Sequence, residues 1–179
     1  YSRGMAVLIT SLSNPLVKEA RSLRQKKGRA ETGLFLVEGI RHVGEAVEAG
    51  WDIQSVLYAP DLLTSDFARD LVALLEKKNA RTQPVSAQVM DSLAEKDNPT
   101  GILATVSQRA RTLAGLPAAD VSSAVALVSP QDPGNVGSIL RTMDAVGTDA
   151  LFLLDGGVDL FHPSVVRASM GAIFWKPIA

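Results

Sequence analysis

The run Pro130-Gln131-Asp132-Pro133-Gly134-Asn135-Val136-Gly137-Ser138-Ile139-Leu140-Arg141-Thr142 gathers the residues best suited to chemistry in this chain. It follows an apolar stretch, Ala124 to Val128, that reads as a buried strand, and it passes into helical periodicity. A strand turning sharply into a helix sets backbone N–H groups and the first helical side chains at the carboxyl edge of a sheet, where open α/β folds bind ligands. Pro133 fixes φ, and Gly134 permits a positive φ or a close approach of a ligand to the backbone. Asn135 is placed to cap the helix. Val136, Ile139, Leu140 and Met143 share a face and are expected in the core. Arg141 lies off that stripe, about one and a half turns in. The plain structural alternative is a capped turn with a surface arginine.

A second chemical signal precedes it. Lys18, Arg21, Arg24, Lys26, Lys27 and Arg29 crowd one short segment against a single acid, Glu19. Lys18 and Arg21 share a helical face, and Arg24 follows at the same spacing. A basic helix ending in a Lys26-Lys27-Gly28-Arg29 loop suits phosphate contacts, which supply affinity without reading sequence; a solvated helix face is the alternative. Aromatic platforms are scarce. Phe35 is expected in the core and Trp51 and Tyr58 flank a strand, which favours recognition of shape and backbone over stacking on single strands.

The elements that must position these residues are legible. Asn14-Pro15 starts a helix (Leu16, Ala20, Leu23) that Gly28 is expected to stop. Leu34–Val37 reads as a strand ending at Glu38-Gly39, and Ile40, Val43, Ala46 and Val47 mark a helix that Gly50 closes. Ile53 to Tyr58 is a second strand. Ser65-Asp66 caps a helix with Phe67, Leu71, Leu74 and Leu75 as its apolar stripe. Thr82 to Val85, a Ser86-capped helix through Val89, Met90 and Leu93, and a strand from Ile102 to Val106 complete an α/β domain over residues 5–107. Alternating strands and helices predict a largely parallel sheet. Residues 108–122 read as a linker, and 123–179 as a second α/β unit with strand Ala124–Val128, helix Val136–Val146 and strand Ala150–Leu154. A further helix starts near Pro163, and Ile173-Phe174-Trp175 is a candidate third strand.

Composition narrows the field. The 179 residues are 46% apolar with a net charge of −1, which predicts a packed core and says little about partners. The chain has no cysteine, which excludes disulfides, a thiolate nucleophile and cysteine zinc sites. Its two histidines, His42 and His162, are far apart, so no metal site is expected. No apolar run approaches the roughly 20 residues that span a bilayer. A cytoplasmic protein without membrane partners is the expectation.

The strand followed by D-P-G-N-x-G and I-L-R-T resembles the first signature motif of the SpoU/TrmH family (SPOUT superfamily) of RNA ribose 2′-O-methyltransferases. The likeness extends to Ile9–Lys18, the basic run to Lys27 and Phe35-Leu36-Val37-Glu38-Gly39, which look like the family's small ribosomal-protein-like RNA-binding domain. Asp159–Ala172 is similar to the family segment after the second catalytic-domain strand. The resemblance implies an α/β RNA-binding domain followed by the N-terminal part of a SPOUT (α/β knot) methyltransferase domain. By the same resemblance Asn135 and Arg141 are active-site residues, the cofactor is S-adenosylmethionine, the partner is RNA (ribosomal first, transfer RNA second), and the intact protein is a homodimer. A guanidinium with a pKa above roughly 12 is a poor base, so bidentate grip of a phosphate and stabilisation of the 2′-oxygen suit Arg141 better.

The family's second and third motifs, a G-x-E-x-x-G-like loop and an S-L-N-V-type segment, have no counterpart here. The chain is therefore expected to be the opening portion of a longer enzyme, with its cofactor-binding residues beyond Ala179 and little cofactor affinity of its own. A non-enzymatic module for structured RNA is the main rival. A nucleotide-binding enzyme using the Gly134–Gly137 turn is another, weakened by the missing Walker and dinucleotide glycine patterns.

Overall fold

The computed structural model describes residues 7–78, 80–94, 100–109, 112–116 and 121–179. The chain divides into two compact units, Tyr1–Ser107 and Gln108–Ala179.

The first unit runs α1 (Pro15–Ser22), α2 (Lys26–Thr32), β1 (Leu34–Glu38), α3 (Ile40–Glu48), β2 (Ile53–Tyr58), α4 (Asp66–Lys77), β3 (Arg81–Pro84), α5 (Ala87–Leu93) and β4 (Ile102–Ser107). Helix starts follow the side chains that can accept orphan N–H groups. Asn14 Oδ1 accepts from Leu16 N, Ser65 Oγ from Ala68 N and Ser86 Oγ from Val89 N. The sheet order is β1-β4-β2-β3. It is mixed rather than largely parallel: β2 and β3 pair parallel, while β4 pairs antiparallel with both β1 and β2. The βαβ alternation does make β1, β2 and β3 run the same way. The returning β4 then wedges between β1 and β2, because a largely apolar strand is best buried on both faces and both edges. Its residues Ile102–Val106 are all buried. The one polar pair there is self-satisfying: Ser55 and Thr105 hydroxyls meet at 2.8 Å.

Alternation along the strands separates two cores. Leu36, Leu57 and Leu103 join Val17, Leu23, Val89 and Leu93 in one cluster on the α1/α5 side. Each fully buried leucine there contributes about 1.5–3 kcal/mol. On α4 the buried residues are Ala68, Leu71, Val72 and Leu75. Phe67 and Leu74, expected in that stripe, are 61% and 42% exposed and instead line a groove of about 600 Å³ beside Ile40 and Gly44 of α3.

Gly28 does not stop the first helix. The chain turns at Leu23–Gln25, and Gly28 sits inside α2, where an added Cβ would lie 2.2 Å from Ser22 O. A glycine read as a terminator is thus a contact point between two helices. Leu23 is the C-cap of α1, and the left-handed glycine cap belongs to α2: Gly33, with φ of +66°.

The second unit comprises β5 (Ala124–Val128), α6 (Pro133–Val146), β6 (Ala150–Leu154) and α7 (Pro163–Ala168). β5 and β6 pair parallel, Ala124 opposite Ala150 through Val128 opposite Leu154. At their amino ends Asp149 Oδ2 accepts from Ser122 N and Ser123 N, both at 2.9 Å, and from both serine hydroxyls. The Ser122 hydroxyl first, then the two backbone N–H groups, hold that carboxyl below the usual carboxylate range. The candidate third strand at 173–175 is a 3-10 turn, Ala172–Phe174, with Ile173 and Phe174 buried. Extended pairing comes later: Leu151 N donates to Pro177 O, Ala179 N to Leu151 O and Leu153 N to Ala179 O. Left-handed backbone at Met170 and Gly171 turns the chain before the apolar run can extend. Of the linker segment, Leu113–Gly115 forms one 3-10 turn, and residues 110, 111 and 117–120 lie outside the described residues.

Candidate active site and nucleic-acid-binding face

The sequence from Pro130 onward turns the chain from β5 into α6 at the carboxyl edge of the parallel pair. Asp132, not Asn135, is the N-cap: its Oδ1 accepts from Asn135 N at 2.7 Å, and Pro133 takes the first helical position. The helix therefore begins three residues before Val136. Proline lacks the N–H that the first turn leaves unsatisfied, and its φ already suits a helix. Gly134 has no positive φ. Asn135 is thus the third helical residue, its side chain exposed. Arg141 is exposed six residues on, about 9 Å further along the axis. Neither side chain has a hydrogen-bond or ion-pair partner among the described residues, so both are available to a ligand. Val136, Leu140 and Met143 are buried as expected, and Ile139 is half-buried.

Gly137, the last glycine of the motif, permits close helix packing. An added Cβ would meet Ala168 Cβ at 2.6 Å, Val165 O at 2.7 Å and Ser169 N at 3.0 Å, all on or just after α7. His162 caps α7, its Nδ1 accepting from Ser164 N at 3.1 Å, which leaves the proton of the neutral ring on Nε2. Ser169 is buried with its hydroxyl donating to Val166 O at 2.8 Å, while Arg167 is exposed, as their spacing of two requires.

Sequence reasoning missed the backbone of this edge. Ser129 and Asp155 end the two adjacent strands, and both are left-handed, with φ of +45° and +57°. Ser129 Oγ donates to Asp155 O at 3.1 Å, and Val158 N donates to Pro130 O at 2.8 Å. A Cβ on Gly157 would lie 2.3 Å from Pro130 O. The Asp155-Gly156-Gly157 run was the available signal for a chain reversal there.

In the first unit the basic residues divide. Lys18 and Arg21 of α1 are exposed, Arg21 Nη2 reaching Ser92 Oγ at 3.3 Å. Lys26 and Lys27 of α2 are exposed, and Lys27 pairs with Glu31 at 3.7 Å, too open to contribute much. Arg29, expected among the RNA contacts, is 2% exposed; its Nη1 donates to Leu23 O at 2.8 Å and Arg24 O at 2.9 Å. Half-buried Arg24 donates through Nη2 to Leu93 O. The corner between α1 and α2 leaves helix-end carbonyls without helical partners, and the two guanidiniums satisfy carbonyls there and on α5. Arg24 and Arg29 are structural, and the accessible basic set is Lys18, Arg21, Lys26 and Lys27. Phe35 is fully buried, edge-on to Trp51 at 5.7 Å, and offers no stacking platform.

Among the described residues no group of three or more His, Asp or Glu side chains could hold a metal ion, and no helix is long and apolar enough to cross a membrane.

Two joined features thus define the class: a mixed α/β unit with a basic helical corner, and a parallel α/β unit whose motif loop opens into an asparagine- and arginine-bearing helix. Residues 14–104 match the family model described as the MRM3-like substrate binding domain, and residues 122–179 match that of the SpoU rRNA Methylase family. The chain belongs to the family of proteins that carry the MRM3-like substrate binding domain, and its residues 122–179 form a SpoU methylase family domain. It is 32% identical over 156 residues to a 23S rRNA (uridine(2479)-2′-O)-methyltransferase of Streptomyces viridochromogenes, covering 87% of this chain and 53% of that protein. It is 30% identical to the 23S rRNA (guanosine(2553)-2′-O)-methyltransferase RlmP of Bacillus subtilis, over 95% of this chain and 63% of the relative. A solved AdoMet-bound rRNA methyltransferase from Sinorhizobium meliloti superposes with a TM-score of 0.85 at 35% identity, over 98% of this chain and 65% of that one. The chain therefore spans between about half and two thirds of these relatives' lengths.

S-adenosylmethionine is the cofactor that such a family implies. At this edge α7 fills the space at Gly137 and Pro130 that at Gly157, while Gly156 faces open space and Gly134 meets only the Asp132 carboxylate.

Proposed function

We propose that this chain is part of an enzyme that methylates a ribose 2′-oxygen of RNA, with ribosomal RNA the first candidate and transfer RNA the second. S-adenosylmethionine would supply the methyl group. The observation that carries the reading is the motif helix: Asn135 stands exposed at the carboxyl edge of a parallel sheet and Arg141 stands exposed further along the same helix, within a segment that matches the methylase family model.

A ribose hydroxyl is a weak nucleophile until its proton departs, so the site must stabilise the developing alkoxide. Arg141 is a fixed cation with a planar fork. It suits grip of a neighbouring phosphate and electrostatic support of the 2′-oxygen, and it does not suit proton removal. Asn135 offers both a donor and an acceptor beside the helix N-terminus, whose partial positive charge favours an anionic oxygen. Lys18, Arg21, Lys26 and Lys27 supply sequence-independent phosphate affinity in the other unit. A homodimer is part of this reading for the intact protein, since β5 leaves Val128 64% exposed at the end of an apolar edge strand.

The test is methyl transfer from labelled S-adenosylmethionine to unmodified ribosomal and transfer RNA, by the full-length gene product and by the 179-residue chain. Label in ribose 2′-O positions supports the reading. RNA binding without transfer by the full-length product overturns it in favour of a binding module.

A further inference from the structure

We propose that Ser129 is a positioning residue for the motif loop, holding Asn135 in place by clasping the end of β5 to the end of β6; this rests on the methyltransferase reading above. Three described non-glycine residues have positive φ, and two of them, Ser129 and Asp155, face each other across the ends of the parallel pair. L-residues enter this region rarely, and such outliers persist where surrounding structure over-determines them, commonly at functional sites.

The connections form a continuous path. Ser129 N donates to Leu154 O at 2.8 Å, which extends the strand ladder by one bond. Ser129 Oγ then donates to Asp155 O at 3.1 Å, a side-chain bond that ordinary strand pairing would not supply. Gln131 Nε2 donates back to Ser129 O at 2.9 Å, and Val158 N to Pro130 O at 2.8 Å. The next residue is Asp132, whose carboxylate holds Asn135 N at 2.7 Å. The left-handed turn at Ser129 thus sets the direction in which Pro130 to Asp132 leave the sheet, and so the origin of α6. Of the residues in this path, Ser129 alone joins strained backbone to a side-chain tether.

Strain and tether can be separated by substitution. Glycine accepts the φ of Ser129 without penalty but lacks the hydroxyl. Asparagine tolerates the left-handed region and keeps a donor. In the full-length enzyme, Ser129→Gly is expected to keep its unfolding midpoint within about 2 °C of the parent. Its kcat should fall about tenfold, with KM for RNA unchanged, because displacement of the reacting groups and not binding is affected. Ser129→Asn should recover most of that kcat. In the 179-residue chain, amide hydrogen exchange over 129–136 should run about tenfold faster in Ser129→Gly and return toward the parental rate in Ser129→Asn.

Parental kcat in a correctly folded Ser129→Gly enzyme overturns the proposal, as does unchanged exchange over 129–136. A parent enzyme without any methyl transfer overturns the methyltransferase reading, and the catalytic role assigned to Ser129 falls with it. The exchange result separates the two failures.

Discussion

Replacing Gly137 by alanine tests whether the motif's last glycine serves helix packing. The new Cβ would sit 2.6 Å from Ala168 Cβ, 2.7 Å from Val165 O and 3.0 Å from Ser169 N. Carbon contacts settle at about 3.5–4.0 Å, so α7 must retreat by about 1 Å. Two of the three obstacles are backbone, so rotamer changes cannot relieve them. Overpacking of this kind costs about 1–3 kcal/mol, and the upper part of that range applies. Alanine returns up to about 1 kcal/mol of helix propensity, leaving a net loss of about 1–2 kcal/mol. In a unit of this size that lowers the melting midpoint by about 4–16 °C. Urea unfolding followed by circular dichroism would measure it, with a separate transition allowed for each unit. Gly137→Ala combined with Ala168→Gly should recover only part, since Val165 O remains in the way. Gly44→Ala is the control: its Cβ would meet Phe67 Cζ at an ordinary 3.6 Å, so it should stabilise α3 by about 0.5–1 kcal/mol. A Gly137→Ala variant within about 0.5 kcal/mol of the parent would refute the packing argument.

Arg29→Met should destabilise the first unit by about 3 kcal/mol through stranded carbonyls at Leu23 and Arg24, measured by the same unfolding curves. Lys18→Ala and Arg21→Ala should instead leave stability nearly unchanged, weaken RNA binding and each reduce its salt slope by about one, read by filter binding across salt concentrations. Arg141→Lys in the full-length enzyme keeps the charge and loses the fork, so turnover should nearly vanish while RNA still binds; near-normal turnover removes Arg141 from the mechanism. The Asp149 carboxyl is held below its ordinary range by the Ser122 hydroxyl and the Ser122 and Ser123 N–H groups. Its folded-state pKa is depressed, so its contribution is complete above the unfolded carboxylate pKa and disappears as pH falls through the folded value. Asp149→Asn should flatten that acid limb of the stability curve; an unaltered limb would rule the clamp out.

How far the sequence could be read differs by element. Caps at Asn14, Ser65 and Ser86 were legible because one short side chain accepts from its own helix, a purely local event. The motif loop was legible as a capped strand-to-helix turn for the same reason, although the cap moved from Asn135 to Asp132 once Pro133 took the first helical position. The placement of β4 was not legible. Alternating elements establish that β1, β2 and β3 run together, but a strand from the far end of the unit can still insert between two of them. Arg29 shows the same limit for side chains. A basic run looks like a phosphate-binding stripe until the chain turns and two carbonyls need its guanidinium.

By itself the sequence determined the family resemblance, the alternation of strands and helices and the caps at Asn14, Ser65 and Ser86, since each rests on spacing within a few residues. The tertiary structure alone decided the mixed sheet, the burial of Arg29 and the bond of half-buried Arg24 to Leu93 O, the role of Gly137 against α7 and the paired left-handed turns at Ser129 and Asp155. Each of these depends on atoms brought together from distant parts of a unit. Local spacing cannot encode a contact whose partner is chosen by how the layers pack.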